Sequence, residues 1–375
     1  MDFTLNETQQ DIENLARQIL TDNVTVEDLR QYDDRGVQRF DKELWQKLSE
    51  SGLLGVAIAE SNNGLGFGFN ELAILLEECG RVLAPVPVLG TTVCALALQK
   101  VGHEALSESE LQELLQGVMG GTTILTAAIN EPLVDDPYAP VTVFSGGEIS
   151  GTKQCVPFGA TAQQLLVVAD DGGEAGLFLV DPSHDSIEQK SLWSSSFEPQ
   201  DYLVFTNTPA RKLGGADAVK FLVEHYTAAT CAMQVGVCEQ MVKLVAEYTS
   251  EREQFGVKIA TFQAVGHRAA NCYMDAKCLR LVTQQAVSLL SEGSPASAQV
   301  NVAKAWCGDA GHRISYSAQH LHGGMGVDRD YPLWRYCLWA KQHELMLGNT
   351  SFQLEALGDA IAAGDYDLDK PLRVS

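Results

Sequence analysis

The sequence predicts an α+β protein in three parts, with helices first, strands in the middle and helices again at the end. Residues 1–120 carry apolar side chains at helical spacing, whereas residues 121–210 contain short β-rich runs separated by Gly, Pro and Asp. Helical periodicity returns in residues 211–375, where no proline lies between Pro209 and Pro295. A length of 375 residues with 45% hydrophobic content allows two or three domains and a large buried core.

In the first part, one helix is predicted to open at Phe40–Trp45 and another to cover Asn70–Val82. The glycines of Gly64–Gly68 follow an apolar run, as they would in a dinucleotide-binding loop. Their spacing is not GxGxxG, and no second βα unit or ribose-binding acid follows. The segment is therefore predicted to be a loop between helices.

The middle and last parts differ in the length of their apolar runs. Short strands are predicted at residues 123–129, 165–168, 176–180 and 202–205. Helices of roughly 30 residues fit residues 216–250 and 260–292, which is longer than usual for a globular protein. Such lengths indicate a helical bundle.

The charge balance excludes some classes of partner. Lys and Arg together number 26 against 49 Asp and Glu, a formal net charge of −23. This charge repels nucleic acid and anionic membrane surfaces. It indicates a soluble protein, with attraction of a complementary basic partner subunit as the alternative.

Cysteine usage and hydropathy predict a cytoplasmic protein. The nine cysteines include no CxxC pair, and the amino terminus lacks the basic start and apolar core of a signal peptide. Cys272 and Cys278 have no His or Cys pair at ligand spacing, so no metal site is expected. No apolar run reaches the roughly 20 residues that cross a bilayer, so no membrane association is expected.

Several motifs occur together in an order that resembles the acyl-CoA dehydrogenase family. They are Glu251–Gly256, Phe262–Val265 and His322–Gly326 near the carboxy terminus, with Met1–Leu5, Gln9-Gln10 and Gly52–Ala57 near the amino terminus. The resemblance implies an amino-terminal helical domain, a middle β-barrel-like domain and a carboxy-terminal four-helix bundle. It also implies FAD as cofactor, and dimers or tetramers in which one subunit contributes to its neighbour's flavin site.

Candidate binding residues follow from that resemblance. For FAD they are Arg252, Phe255, Gln263, His320, Gly323, Gly324, Asn349 and Ser351, and for the acyl-CoA they are Gly348 and Thr227. A guanidinium such as that of Arg252 suits a diphosphate, because it donates two hydrogen bonds from a permanent charge. The paired glycines suit it too, since a backbone without side chains can approach phosphate closely.

The flavin-ring end of the pattern departs from the family. His320 stands where Gln is usual, and Asn130–Asp136 replaces Thr-Glu-Pro followed by small residues. The family's Trp-x-Thr, which flanks the flavin ring, aligns with Cys155-Val156-Pro157. Losing an aromatic wall and a hydroxyl donor is expected to weaken this end of the pocket.

The catalytic loop lacks its base. In the family a glutamate removes the proton next to the thioester carbonyl, and Leu347 of Leu347–Gln353 occupies its position. Some relatives carry this glutamate on a long helix, where this chain has Tyr226, and a phenol is a poor base at neutral pH. Glu224 and His225 point about 200° and 100° away from Tyr226 around a helix. Glu344 is the nearest carboxylate to Leu347, and is expected to be a solvated helix residue.

The resemblance therefore predicts a subunit of an FAD-dependent acyl-CoA dehydrogenase that pairs with a homologous, glutamate-bearing chain. Tyr331–Tyr336 and Trp339–Gln342 are similar to a subgroup of heteromeric dehydrogenases acting on steroid side-chain CoA thioesters. The complex would desaturate its substrate between the α and β carbons and pass electrons to an electron-transfer flavoprotein. The alternatives are a self-sufficient dehydrogenase or flavin oxygenase with another base, and a non-catalytic structural subunit.

Overall fold

The computed structural model describes residues 3–34 and 36–364, so Met1 and Asp2 of the amino-terminal motif lie outside the described residues. The described chain forms two compact units. The first unit contains residues from 1–26, 73–84 and 227–375, and the second contains residues from 27–72 and 85–226.

The amino-terminal α-helices of the described chain include three that begin at a side-chain cap. They are α1 (Glu7–Asn23), α2 (Val26–Arg30), α3 (Lys42–Glu50), α4 (Phe69–Val82), α5 (Val88–Val101) and α6 (Glu108–Met119). Asn6 and Ser107 form capping boxes at α1 and α6, and Asp41 accepts two backbone N–H groups at α3. The helix predicted at Phe40 therefore begins two residues later, because Asp41 is its N-cap.

The middle part is a mixed sheet of eight strands, within the described residues. The strands are β1 (Leu125–Ala128), β2 (Val143–Ser145), β3 (Glu148–Pro157), β4 (Gln164–Asp170), β5 (Ala175–Val180), β6 (Ile187–Leu192), β7 (Gln200–Pro209) and β8 (Arg211–Gly214). Their order is β6-β7-β3-β2-β4-β5-β8, and β1 pairs in parallel with β4. β4 and β5 are buried almost throughout because their residues are apolar on both faces.

Long helices dominate the carboxy-terminal part. A hairpin of β9 (Glu253–Gln254) and β10 (Val257–Lys258) lies between α7 (Ala216–Glu251) and α8 (Gln263–Ser291). They are followed by α9 (Ser297–His322), α10 (Leu333–Leu345) and α11 (Thr350–Ala363). In the first unit, α8, α10 and α11 all pack against α9.

Two glycines allow α4 to pack closely on α7 within the first unit. A Cβ placed at Gly236 would lie 1.9 Å from the carbonyl oxygen of Glu77, and one at Gly80 would lie 2.0 Å from that of Met233. Both positions are helical, so close approach of the two backbones, and not backbone conformation, requires glycine.

The fold class predicted from the sequence is confirmed. The strands at 123–129, 165–168, 176–180 and 202–205 correspond to β1, β4, β5 and β7, and α4, α7 and α8 occupy their predicted places. Residues 64–68 form the loop before α4, as predicted. The domain limits near residues 120 and 210 stay a prediction; helix gives way to strand between α6 and β1, and strand to helix between β8 and α7.

None of the described helices combines the length and the apolar character needed to cross a bilayer. Among the described residues there is likewise no group of three His, Cys, Asp or Glu arranged to hold a metal ion.

Candidate active site

The loop between α10 and α11 holds Leu347 in a conformation that side chains disfavour. Leu347 has φ 55° and is 6% exposed, and Gly348 follows with φ 88°. Left-handed backbone costs an L-residue roughly 1 kcal/mol or more, so neighbouring contacts must maintain it. A Cβ at Gly348 would lie 2.4 Å from the Phe352 ring, which explains the glycine.

Two buried polar side chains supply those contacts. Lys304 Nζ donates to the carbonyl oxygens of Glu344 at 3.0 Å and Gly348 at 2.8 Å. Gln353 Nε2 donates to the carbonyl oxygen of Leu347 at 2.7 Å. The loop backbone is therefore fixed from α9 and α11, although its side chain at 347 cannot accept a proton.

Glu344, the nearest carboxylate along the chain, is already engaged. Lys341 Nζ donates to its Oε2, and His312 Nδ1 lies 3.9 Å from the same oxygen. The side chain retains 20% of its exposure. Glu344 is therefore part of a surface ion pair on α10, in keeping with the expectation of a solvated helix residue.

The alternative base position on α7 offers no better acceptor. Tyr226 is 3% exposed, and burial raises the pKa of its phenol well above the usual value. Its hydroxyl lies 3.5 Å from a Cβ built at Gly90 of α5, so it faces a tightly packed helix. Glu224 pairs with Lys220 at 3.4 Å, while burial lowers the pKa of His225 to about 4. Thr227, a predicted substrate contact, is buried.

The predicted flavin contacts on the hairpin are exposed. Phe255 (φ 57°) and Gly256 (φ 81°) form the tight turn between β9 and β10. Phe255 is 93% exposed and makes an edge contact with Phe262, their ring centroids 6.2 Å apart. The Arg252 side chain is exposed and has no hydrogen bond or ion pair to the described residues. The permanent charge of Arg252 and the aromatic ring of Phe255 are thus accessible to a ligand or to another subunit.

Glycines at the end of α9 form a second open segment. Gly323 has φ 57° and ψ −133°, a combination that essentially only glycine adopts, and its N–H donates to the His320 carbonyl. No atom of the described chain lies within 4 Å of a Cβ built at Gly323 or Gly324. His320, Gln263 and Ser351 are exposed as well. A guanidinium, an amide and a glycine backbone that a ligand can approach closely together fit the diphosphate half of FAD.

The Asn349 side chain caps a helix, so only part of it is available for the predicted contact with the cofactor. Its side-chain oxygen accepts from the Phe352 N–H at 3.1 Å and caps α11. Its amide nitrogen is the group left for a ligand.

The flavin-ring end of the pattern lies in the second unit. Cys155 is half buried with φ 51°, and Pro157 has no N–H to donate. Glu131 accepts from the fully buried Lys153 Nζ at 2.6 Å and from two backbone N–H groups. Leu133, with φ 61°, is fully exposed where the family has small residues. The Lys153 ammonium and the two backbone N–H groups near Glu131 are thus already bonded to its carboxylate. Position 155 has a cysteine and so offers no aromatic ring.

Sequence reasoning did not identify Lys304 and Gln353. Lys304 is a lone charge inside the apolar stretch 302–306, and such a residue on a buried helix face requires a partner. That signal was present, but its partners are carbonyls 40 or more positions away, which no local pattern reveals. A separate cavity of about 360 Å³ lies in the second unit beside Tyr32, Arg39 and Trp193, and none of the predicted site residues is among the described residues that line it.

The fold, the loop at 347 and the exposed glycine turn define a class of flavin-dependent oxidoreductase acting on CH–CH groups. The chain belongs to the acyl-CoA dehydrogenase family: residues 6–118 match its N-terminal domain and residues 214–362 its C-terminal domain. Acyl-CoA dehydrogenase FadE27 of Mycobacterium tuberculosis is 37% identical over 96% of this chain and 99% of its own length.

Solved structures agree with this assignment. A variant of the steroid ACAD Tcur3481-Tcur3483 superposes with a TM-score of 0.91 at 40% identity, covering 96% of this chain and 99% of its own. The ChsE4-ChsE5 complex from Mycobacterium tuberculosis gives 0.90 at 35% identity, covering 99% and 100%. PigA, solved with FAD and proline, shares the fold at 19% identity with a TM-score of 0.85 over 96% of this chain and 99% of its own. FAD is the cofactor of the family.

Proposed function

We propose that this chain is the base-less subunit of a heteromeric, FAD-dependent acyl-CoA dehydrogenase. A homologous subunit carries the catalytic glutamate, and the complex desaturates a CoA thioester between its α and β carbons. The single observation that carries the proposal is Leu347, a buried hydrocarbon in a rigidly held loop where the family base belongs. No carboxylate near it along the chain is free to substitute, because Glu344 pairs with Lys341.

The comparisons support pairing and a substrate class. The names of two similar structures, Tcur3481-Tcur3483 and the ChsE4-ChsE5 complex, each contain two different components. The first of them is named as a steroid ACAD. We infer that this chain likewise works beside a homologue on a steroid-derived acyl-CoA, in the cytoplasm, with an electron-transfer flavoprotein as electron acceptor. The acidic surface implied by a net charge of −23 is compatible with a basic partner.

The chain's own residues would bind and orient. When bound, FAD supplies the hydride acceptor for the β carbon. Arg252 would donate to its diphosphate, and Gln263, Gly323 and Gly324 would border the same half. At the other site, the N–H of Leu347 remains a donor that does not depend on its side chain. A carbonyl-binding surface can therefore persist without the proton-transfer step.

Turnover by the purified chain tests the proposal. The chain alone, and the chain together with a glutamate-bearing homologue, are assayed with an artificial electron acceptor and a panel of straight-chain and steroid-derived thioesters. We expect activity from the complex only, because a placed general base contributes typically 10² to 10⁴ in rate. Robust turnover by the chain alone would show that another group acts as base.

Two further measurements distinguish the remaining alternative functions. A purified complex without flavin absorbance in the visible range would indicate a structural subunit. Oxygen consumption with reduced flavin would indicate an oxygenase. The variant Leu347→Glu is expected to restore little activity to the chain alone, because Cys155 and Pro157 replace the residues that flank the flavin ring.

A further inference from the structure

A buried cluster of three rings lies beneath the exposed glycine turn. His322, the last residue of α9, is 2% exposed and stacks on Tyr248 of α7, with ring centroids 4.4 Å apart and planes inclined by 26°. Tyr331 closes the cluster, 5.2 Å from the His322 ring and 6.2 Å from the Tyr248 ring. We call Tyr248, His322 and Tyr331 the ring cluster.

Hydrogen bonds fix the orientation of the central ring. Nδ1 of His322 donates to the Ala318 carbonyl oxygen at 2.8 Å, because a carbonyl can only accept. Burial lowers the pKa of His322 and so favours the neutral ring, in which Nε2 accepts because Nδ1 carries the N–H. The Tyr331 hydroxyl lies 3.2 Å from Nε2 and donates to it. A phenylalanine at position 331 would fill the same space but would remove this bond, leaving the His322 ring held by the Ala318 carbonyl and by stacking on Tyr248.

Two residues of the ring cluster, Tyr248 and His322, lie next to predicted flavin-binding segments in the chain. Tyr248 is four residues before Arg252, whose N–H donates to the Tyr248 carbonyl at 2.9 Å. His322 immediately precedes Gly323, at the point where the backbone turns out of α9. The cluster therefore joins the base of the arginine hairpin to the base of the glycine turn.

The outer sides of both segments are open, although the hairpin has contacts of its own through Lys258 and Phe262. Both glycines face open space, and Phe255 at the hairpin tip is 93% exposed. A diphosphate held between a guanidinium and backbone N–H groups requires a fixed separation of the donors, since a displacement of about 1 Å loses hydrogen-bond geometry. The ring cluster adjoins the base of both segments, so its geometry contributes to that separation.

We propose that Tyr248, His322 and Tyr331 are positioning residues that hold the Arg252 hairpin and the Gly323–Gly324 turn in register for the diphosphate half of FAD. This inference rests on the proposed flavin binding. It assigns the hydrogen bond between Tyr331 and His322 a role in cofactor affinity that a purely hydrophobic contact would not have.

The test compares two tyrosine hydroxyls of the first unit, each of which takes part in a hydrogen bond. Tyr331→Phe removes the bond to His322, and the matched control Tyr336→Phe removes a bond to the Arg81 carbonyl at 2.9 Å. FAD is titrated into the flavin-stripped assembly by fluorescence, and melting temperature without FAD is measured for both. Hydrogen exchange of residues 252–258 and 323–327 is followed in the absence of FAD.

We expect Tyr331→Phe to raise the Kd for FAD by about two- to ten-fold relative to Tyr336→Phe, at a similar melting temperature. We also expect faster exchange in both segments. An unchanged Kd together with unchanged exchange would show that the rings are ordinary core and would overturn the inference. If the unmodified assembly binds no FAD, the proposed function fails, and the exchange result still decides whether the rings order the two segments.

Discussion

Lys304 shows how a single buried residue can hold the backbone of a loop, here the one that carries Leu347. Its ammonium is fully buried and donates to carbonyls on either side of Leu347. An ammonium has three donors and is costly to bury unless they are used. With Gln353, this ammonium fixes the loop backbone around Leu347 without any contribution from the leucine side chain.

Replacing Lys304 by Met should therefore destabilise the protein. The variant keeps roughly the length of the side chain but leaves two partly buried carbonyl oxygens without their donor, at about 1 to 3 kcal/mol. Urea unfolding measures the loss of stability. Lys243→Met serves as the control, because the Lys243 side chain is 64% exposed and its ion pair with Glu247 is long, at 3.9 Å, and therefore weak. Equal, small effects in the two variants would contradict a structural role for the buried ammonium.

Arg252 provides the corresponding test of cofactor binding. Arg252→Ala should lower the flavin content of the complex without unfolding it, since a charge-assisted contact is worth roughly 1.5 to 3 kcal/mol. Lys258→Ala on the same hairpin removes a cation that pairs with Glu253 at 2.9 Å, and should leave flavin content unchanged. The ratio of visible flavin absorbance to protein absorbance in the purified complexes measures the flavin content. An unaltered ratio in Arg252→Ala would mean that Arg252 is only a surface charge.

At the scale of elements, helices and strands were predictable where their residues form a clear apolar pattern. α4 follows the 3.6-residue period, α7 is a long proline-free run, and β4 and β5 are short apolar runs bounded by turn residues. The start of α8 was placed three residues early, because residues 259–261 form a 3-10 turn after the hairpin. The loop donors from Lys304 and Gln353 were not predictable, since they depend on contacts between helices.

The packing of α4 on α7 gives a prediction about helix contacts. Gly236→Ala would place a Cβ 1.9 Å from a backbone oxygen, which must move the helices apart at a cost of about 1 to 3 kcal/mol or more. Gly358→Ala in α11 has no atom within 4 Å of its Cβ, so it should stabilise by up to about 1 kcal/mol through helix propensity. Opposite signs in urea unfolding are expected, and a neutral Gly236→Ala would contradict the close approach.

An ion-pair network joins α4, α7 and α8, and it predicts a pH dependence. Burial alone would raise the pKa of Glu239, but Arg280, Arg81 and Lys277 outweigh it and lower that pKa to about 2. A lowered folded pKa stabilises the fold above the unfolded value near 4.5, and the contribution disappears as pH falls from about 4.5 to about 2. Glu239→Gln should lose less stability over this interval than the unmodified protein. Glu77 is present in both proteins, but its pKa, which burial raises, is raised further by the Glu239 charge, so the comparison measures the two coupled carboxylates together.

Measuring unfolding free energy at several pH values between 2 and 6 checks this dependence. Parallel pH profiles for Glu239→Gln and the unmodified protein would show that Glu239 gains no net stabilisation from its three cations.

At the scale of the whole molecule, the distribution of exposed residues indicates assembly. The hairpin and the start of α8 expose Phe255, Phe262 and Tyr273 at 93%, 37% and 56%. Large aromatic residues are enriched in interfaces and rarely cluster on the surface of a monomer. The predicted flavin donors occupy the same segments, so a ligand bound there would lie where another subunit packs.

We therefore expect an obligate dimer or tetramer, formed with itself or with a glutamate-bearing homologue, and a buried interface well above about 2,000 Å² in total. Light scattering at micromolar concentration measures the mass, and a second sample carrying Phe255→Asp and Tyr273→Asp tests the surface. Each substitution places a charge where the interface would exclude water, so the double variant should shift toward monomer and lose flavin together. Exposed Tyr138→Asp, in the second unit, is the control for added charge alone. A clean monomer from the unmodified chain in the presence of its partner would show that the exposed rings serve another purpose, and the proposal that this chain completes a neighbour's flavin site would fall with it.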